Sequence, residues 1–93
     1  MLGESVATRF AARHADARKP LQRFLAISRD ADWPHFAALK TTLAATDLGK
    51  QTGRYIFDLG GNKYRLIASV DFAEQILVIE RILTHQEYDR EVL

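Results

Sequence analysis

Residues 55–70 contain two segments that alternate with a period of two, separated by Gly60-Gly61-Asn62. A period of two places successive side chains on opposite faces of a β-strand. Glycine and asparagine tolerate the positive φ angles of tight turns, so Gly-Gly-Asn predicts a hairpin between the two strands. The hairpin requires a sheet, and the other segments of the chain have to pack around it.

The segments on either side of this hairpin indicate an α+β domain. Residues 76–83 form an apolar run rich in β-branched side chains, which predicts a third strand. Before the hairpin, apolar residues recur every three or four positions, and Pro20 and Pro34 suit the first turns of a second and a third helix. Residues 46–53 are polar and predict a loop. We therefore expect a single domain over residues 1–93, with N-terminal helices packed on one face of a three- to four-stranded antiparallel sheet.

The segment after the third strand predicts a short C-terminal helix. Thr84 and Glu87 have the T-x-x-E spacing of a capping box. His85, Tyr88 and Asp89 then stand at positions i, i+3 and i+4, on one side of the first helical turn. An imidazole, a phenol and a carboxylate at the end of a strand can transfer protons. The alternative is a solvent-facing helical turn without a catalytic role.

Strand alternation assigns the charged side chains to a face. If Tyr64 and Leu66 face the helices, Lys63 and Arg65 face the opposite, solvent-exposed side. On the third strand the more apolar alternate set is predicted to face the helices: Leu77, Ile79, Arg81 and Leu83. Glu80 then lies on the exposed side with Lys63 and Arg65. The alternative is an ordinary solvated sheet face whose cross-strand ion pairs each stabilise by roughly 0.2–1 kcal/mol.

The composition argues against several classes of protein. The chain has no cysteine, so it forms neither a disulfide nor a thiolate metal site, and its three histidines lack metal-ligand spacing. No apolar run approaches the ~18 residues of a membrane span, and the N-terminus lacks a signal-peptide pattern, so we expect a cytoplasmic protein without a membrane partner. The net charge of +1 is low for a nucleic-acid-binding protein. Arg54, Lys63 and Arg65 are nevertheless close in sequence and leave a local basic patch open.

Two motifs carry a family resemblance. The first is Tyr55-x-Phe57-x-x-Gly60-Gly61-Asn62-Lys63-x-Arg65-Leu66-Ile67, and the second is Leu83-Thr84-His85-x-Glu87-Tyr88-Asp89. In this order and at this spacing they resemble the HigB family, toxins of bacterial type II toxin–antitoxin systems within the RelE-like superfamily of mRNA interferases. The similarity extends over residues 9–91.

The resemblance implies a RelE-like domain whose sheet face holds an mRNA backbone. It also implies cleavage of mRNA on the translating ribosome and a cognate helix-turn-helix antitoxin, which is HigA-like. No metal or cofactor is implied, because the 2′-OH of RNA is itself the nucleophile once a base removes its proton.

The same resemblance assigns roles to individual residues. His85 would carry protons, while Lys63 and Arg65 would stabilise the pentacoordinate phosphate. Tyr88 would donate a hydrogen bond or stack on a base. The RNA-binding set comprises Lys63, Arg65, Arg54 and Arg81. Asn62 is expected to serve the hairpin turn.

Glu80 and Arg81 depart from the family pattern, which has arginine at the position of Glu80. Three explanations remain open: Glu80 is the general base between Lys63 and Arg65, Arg81 is lost from the site, or the strand contains a bulge. The usual first strand is also hard to find in residues 1–5, where it is shortened or missing. Two other functions stay open, namely a RelE-like antitoxin- or RNA-binding module with little or no nuclease activity, and an unrelated structural α+β protein.

Overall fold

A computed structural model describes residues 1–61 and 63–90 of the chain. The prediction that Asn62 serves the hairpin turn therefore lies outside the described residues. The elements confirm the α+β prediction, with helices first, a sheet second and a short helix last. In chain order they are α1 (Glu4–Arg13), a 3₁₀ turn (Ala15–Ala17), α2 (Arg18–Asp30), α3 (Phe36–Thr42), β1 (Thr46–Leu48), β2 (Tyr55–Leu59), β3 (Tyr64–Asp71), β4 (Ile76–Thr84) and α4 (His85–Tyr88).

The sheet has four strands in the order β1-β2-β3-β4, and each neighbouring pair is antiparallel. β1 corrects the prediction that residues 46–53 form a loop. Thr46 pairs with Phe57, is only 1% exposed, and donates its hydroxyl to the carbonyl oxygen of Leu43 at 2.6 Å. The strand has only three residues, so its pairing with β2 determines its conformation rather than any alternation of its own.

The N-terminus adds a single β-bridge beside β4. Leu2 donates its N–H to the carbonyl of Leu77 at 2.8 Å and accepts from the N–H of Ile79 at 2.9 Å, which makes a parallel bridge to Val78. Gly3 follows with a φ of 82° and turns the chain into α1. Before α1, the described residues thus pair with β4 through Leu2 alone.

The helices cover one face of the sheet, and a smaller apolar cluster lies on the other, which we call the second face. The main core joins the helices to the sheet through Phe10, Leu21, Phe24, Leu39, Phe57, Leu66 and Ile79. The cluster on the second face consists of Ile56, Ile67 and Leu83, with Tyr88 packed against it. In the described part of the chain, no helix has the length and apolar character needed to cross a membrane.

A β-bulge in β4 explains the unusual Glu80–Arg81 pair. Ile67 pairs with Arg81 whereas Ala68 pairs with Ile79, so Glu80 is an extra residue in β4. A bulge of this kind reverses the alternation of the strand beyond it. Of the three explanations left open by the sequence, the structure shows the bulge.

The reversed alternation corrects the predicted faces of β4. Leu77 and Ile79 face the helices as predicted, but beyond the bulge Ile82 belongs to the main core and Leu83 to the cluster on the second face. Arg81 was assigned to the core side. It is exposed and lies opposite Ile67, whose side chain is on the second face.

Candidate active site on the second face of the sheet

The centre of the site is the guanidinium of Arg65. Arg65 lies on β3 directly opposite Asp58 of β2, and its Nε is 3.0 Å from Oδ1 of that carboxylate. The face was predicted correctly, but the prediction that Arg65 is solvent-exposed is wrong, because its side chain is only 9% exposed. A guanidinium keeps its proton at any ordinary pH, so burial of this cation requires a partner such as Asp58.

His85 stands next to Arg65 at the beginning of α4. Its Nδ1 is 3.4 Å from Nη2 of Arg65, and its Nε2 is 3.6 Å from Oδ2 of Asp89. The imidazole is half-exposed. The backbone N–H of His85 donates to the carbonyl of Lys63 at 3.0 Å, which places α4 beside the start of β3. The site thus combines a fixed cation with an accessible group that can carry a proton.

The predicted capping box holds α4 at this place. The hydroxyl of Thr84 accepts from the N–H of Glu87 at 3.2 Å, and the carboxylate of Glu87 accepts from the N–H of Thr84 at 2.9 Å. The latter hydrogen bond lowers the pKa of Glu87 below its usual value. A carboxylate in the first helical turn also complements the helix dipole. Both contacts confirm the capping box.

The aromatic ring of Tyr88 packs against the guanidinium of Arg65. The Cζ of Arg65 is 5.2 Å from the centre of the Tyr88 ring, which also packs against the apolar cluster of the second face. A guanidinium over an aromatic face is attracted by the negative potential of the ring. Of the convergence predicted from the i, i+3, i+4 spacing, the contact between His85 and Asp89 is confirmed, while Tyr88 and His85 both contact Arg65.

Lys63 was predicted to lie beside Arg65 on the second face, and this prediction is wrong. Its Nζ is 3.3 Å from Oδ2 of Asp16, whose Oδ1 accepts a hydrogen bond of 2.5 Å from the hydroxyl of Tyr64. The Tyr64 ring belongs to the core on the helix side. Lys63 precedes the first residue of β3, so strand alternation does not determine its direction. The ammonium remains accessible, because the side chain is 65% exposed.

Glu80 pairs with Arg54 rather than lying between Lys63 and Arg65, which corrects the predicted geometry. Both carboxylate oxygens of Glu80 are 3.0 Å from Nε of Arg54. Arg54 has the same strand parity as Ile56 and Asp58. The predicted site residues therefore form two groups on the second face, with Ile56 and Ile67 between them. One group comprises Arg65, His85 and Tyr88, and the other is the Arg54–Glu80 pair, while Arg81 lies opposite Ile67 in the ladder.

Asp58 was missed at the sequence level, although a signal was present. Leu59 pairs with Tyr64 across the hairpin, and the residues one step further along each strand are Asp58 and Arg65. Counting outward from the glycine turn would have found this pair. Asp16 gave no such signal, because it lies 48 residues from Tyr64 in sequence. Among residues 1–61 and 63–90, no three His, Asp or Glu side chains are arranged to hold a metal ion.

Helices on one face of an antiparallel sheet, with a cation, an imidazole and a phenol at the end of that sheet, agree with a small RelE-like protein. Residues 17–91 match the family model of HigB_toxin, the RelE-like toxic component of a toxin–antitoxin system, and the chain belongs to this family.

Three curated relatives match part of the chain. The mRNA interferase toxin HigB of Escherichia coli (strain K12) is 38% identical over 53 residues, which cover 56% of this chain and 51% of the relative. The mRNA interferase HigB proteins of Escherichia coli O157:H7 and Shigella flexneri match to the same extent. The chain thus spans about half the length of the curated relatives it matches.

Proposed function

We propose that this chain is the toxin of a type II toxin–antitoxin system and acts as an endoribonuclease on mRNA in the translating ribosome. One observation carries the proposal: the guanidinium of Arg65 is held 3.4 Å from the imidazole of His85, under the ring of Tyr88. A cation and a proton carrier at this distance are what cleavage of an RNA phosphodiester needs, because RNA supplies its own nucleophile. The names of the curated relatives, which are mRNA interferases, also support the proposal.

The proposed reaction has three events. A base removes the 2′-OH proton, the oxygen attacks the adjacent phosphorus, and an acid protonates the departing 5′-oxygen, which leaves a cyclic phosphate. Arg65 donates N–H groups to the phosphate oxygens as negative charge develops on them. His85 transfers protons. Tyr88 keeps the guanidinium in place and offers its hydroxyl to the phosphate or its ring to a base. The reaction needs neither a metal nor a cofactor.

The remaining cations of the predicted set would bind the RNA backbone around the reacting phosphate. Arg54 is 43% exposed at its side chain, Arg81 is exposed on the second face, and Lys63 is exposed at its edge. Cations on the protein surface attract phosphates and release counterions, so binding should weaken as salt rises. Glu80 would hold Arg54 in place, or serve as the base if RNA displaces it from that arginine.

The proposed partner is a cognate helix-turn-helix antitoxin, HigA-like, and the proposed compartment is the cytoplasm. Support comes from the family, which is the toxic component of a toxin–antitoxin system. Coexpression with the protein encoded by an adjacent helix-turn-helix reading frame should give a stable complex and should suppress RNA cleavage. An antitoxin that binds while leaving cleavage undiminished would argue against this part of the proposal.

The burial of Arg65 supports a second candidate function. A guanidinium that is 9% exposed and paired with Asp58 can stabilise the sheet without touching a substrate. In that case the chain is a RelE-like module that binds an antitoxin or RNA with little or no nuclease activity. The two candidates differ in whether His85 is needed for any biological effect.

Expression of the full chain from a tight promoter tests the proposed function. The wild-type chain and Gln86→Ala should arrest growth and produce new 5′ ends within translated messages, whereas His85→Ala should do neither. Gln86 is the matched control because it is an exposed neighbour of His85 in the same helix. Growth and intact messages with a folded wild-type chain would favour the second candidate. Purified chain incubated with naked and ribosome-bound message then tests the dependence on the ribosome.

A further inference from the structure

Asp58 meets Arg65 directly across the β2–β3 ladder. Its Oδ1 lies 3.0 Å from Nε, and Nη2 of the same guanidinium lies 3.4 Å from His85. Asp58 is 29% exposed at its side chain, so the carboxylate is partly withdrawn from water. The attraction within this pair is therefore screened less by water and salt than that of a freely exposed surface pair.

The geometry of a guanidinium makes this contact directional. The group is planar and rigid, so holding Nε in place also determines where Nη1 and Nη2 point. Nη1 lies 3.3 Å from the carbonyl oxygen of Tyr64, and Nη2 lies 3.4 Å from Nδ1 of His85. Asp58, together with the carbonyl of Tyr64, thus restricts the position of the nitrogen that meets the imidazole.

The contact between Arg65 and His85 favours one tautomer of the imidazole. A guanidinium only donates hydrogen bonds, so in the tautomer that accepts from Arg65 the Nδ1 of His85 carries no proton. The ring proton of the neutral imidazole is then on Nε2, which faces Asp89 at 3.6 Å. The lone pair on Nδ1 is therefore the basic position of the site, and Arg65 occupies it in the protein without RNA.

We propose that Asp58 is a positioning residue of the RNA-cleaving site, and this inference rests on the function proposed above. Asp58 holds Nη2 of Arg65 against Nδ1 of His85, so that a phosphate which takes the Nη2 donor uncovers Nδ1 beside the reacting group. Nδ1 then accepts the 2′-OH proton as the O2′–P bond forms. It gives the same proton to the 5′-oxygen as the P–O5′ bond breaks, and His85 ends the reaction neutral.

The first test measures the position of Arg65 without using activity. In the ¹⁵N-labelled full chain, Arg65 should show separate Nη1 and Nη2 resonances, because its rotation is restricted. In Asp58→Ala the resonances should merge, and in Asp58→Asn, which keeps an acceptor oxygen, they should broaden. Asp47→Asn is the control, because Asp47 is an exposed acid of the same sheet whose side chain makes no hydrogen bond or ion pair within the described residues. A folded Asp58→Ala whose Arg65 resonances stay separate would overturn the proposal.

The second test measures cleavage of a ribosome-bound message under single-turnover conditions. Asp58→Ala should lower the maximal rate roughly 100-fold, because misplacement of a catalytic group typically has that effect. The ribosome concentration at half-maximal rate should change by less than about threefold, since binding is carried by other cations. Asp58→Asn, the variant least disruptive to folding, should fall between wild type and Asp58→Ala. An unchanged maximal rate in both variants would also overturn the proposal. If the wild-type chain cleaves nothing, the proposed function fails, while the resonances still report whether Asp58 positions Arg65.

Discussion

The hydroxyl of Tyr64 donates a hydrogen bond of 2.5 Å to Oδ1 of Asp16, and this contact joins the beginning of β3 to the turn between α1 and α2. The phenol lowers the pKa of Asp16, and Lys63 acts in the same direction on the other carboxylate oxygen. The same hydrogen bond raises the pKa of Tyr64, because it favours the protonated phenol.

Because the pKa of Asp16 is lowered in the folded protein, the free energy of unfolding depends on pH in the acid range. The contribution of this carboxylate is fully present above the pKa of an unfolded aspartate, about 3.9, and is lost as the pH falls through the lower folded value. Asp16→Asn should therefore flatten the decrease in the free energy of unfolding below about pH 4. Tyr64→Phe should flatten it in the same way. Urea unfolding between about pH 2.5 and about pH 6 checks this, because that range covers the titration of the carboxylate. A wild-type slope in both variants would contradict the assignment.

Gly3 offers a stability prediction at the N-terminal bridge. Gly3 and Gly53 both have positive φ angles, 82° and 72°, but only a side chain at Gly3 would overlap the carbonyl oxygen of Ile79. Gly53→Ala should cost about 1–2 kcal/mol from the backbone conformation alone. Gly3→Ala should cost about 3 kcal/mol or more, since the overlap also separates Leu2 from β4. Equal shifts of the two variants in urea unfolding would show that the bridge contributes little.

Removal of Arg65 should affect both stability and activity. The sequence alone predicts that Arg65→Ala leaves the fold intact, because alternation places this residue on the solvent side. In the structure Arg65 is buried against Asp58, so its removal leaves a partly buried carboxylate without its partner. We expect a loss of about 1–3 kcal/mol of stability. Cleavage should fall ~10²–10³-fold through the loss of a donor to the transition state.

A double-mutant cycle separates these two effects of Arg65. Asp58→Ala combined with Arg65→Ala should be less destabilising than the sum of the single variants, because neither charge is then left alone. Its cleavage rate should remain as low as that of Arg65→Ala. Lys63→Ala is the contrast, since its ammonium is exposed: the fold should be retained while RNA binding weakens. Additive stability losses would show that the Arg65–Asp58 contact does not couple the two residues.

The sequence predicted the parts of the site that depend on local periodicity. Alternation placed Arg65 on the second face, and the capping box placed His85 and Tyr88 one turn apart, because each of these relations spans only a few residues. The solvent exposure of these side chains was predicted less well. Whether Arg65 meets water depends on Asp58 and Tyr88, which belong to other elements of the fold.

The errors have the same physical origin. The bulge at Glu80 is a property of the β3–β4 pairing, so the Glu80–Arg81 pair in the sequence could indicate it only as one of three explanations. The direction of Lys63 depends on Asp16, a distant residue, and β1 forms only because Thr46 pairs with Phe57. Contacts between different elements of the fold decide all three.

The last prediction concerns the Arg54–Glu80 pair, which decides the role of Glu80. The structure holds both carboxylate oxygens of Glu80 3.0 Å from Nε of Arg54, so we expect Glu80→Gln and Arg54→Gln to have small and similar effects on cleavage. Each would remove one half of the same partly exposed ion pair, which is worth at most about 1 kcal/mol. A general base would behave differently. Glu80→Gln would then slow cleavage by roughly 10²–10⁴-fold, because an amide does not accept the 2′-OH proton. Arg54→Gln would leave that chemistry in place and weaken only RNA binding. Single-turnover cleavage of one ribosome-bound message by both variants, with His85→Ala alongside as the inactive reference, distinguishes the ion pair from the base.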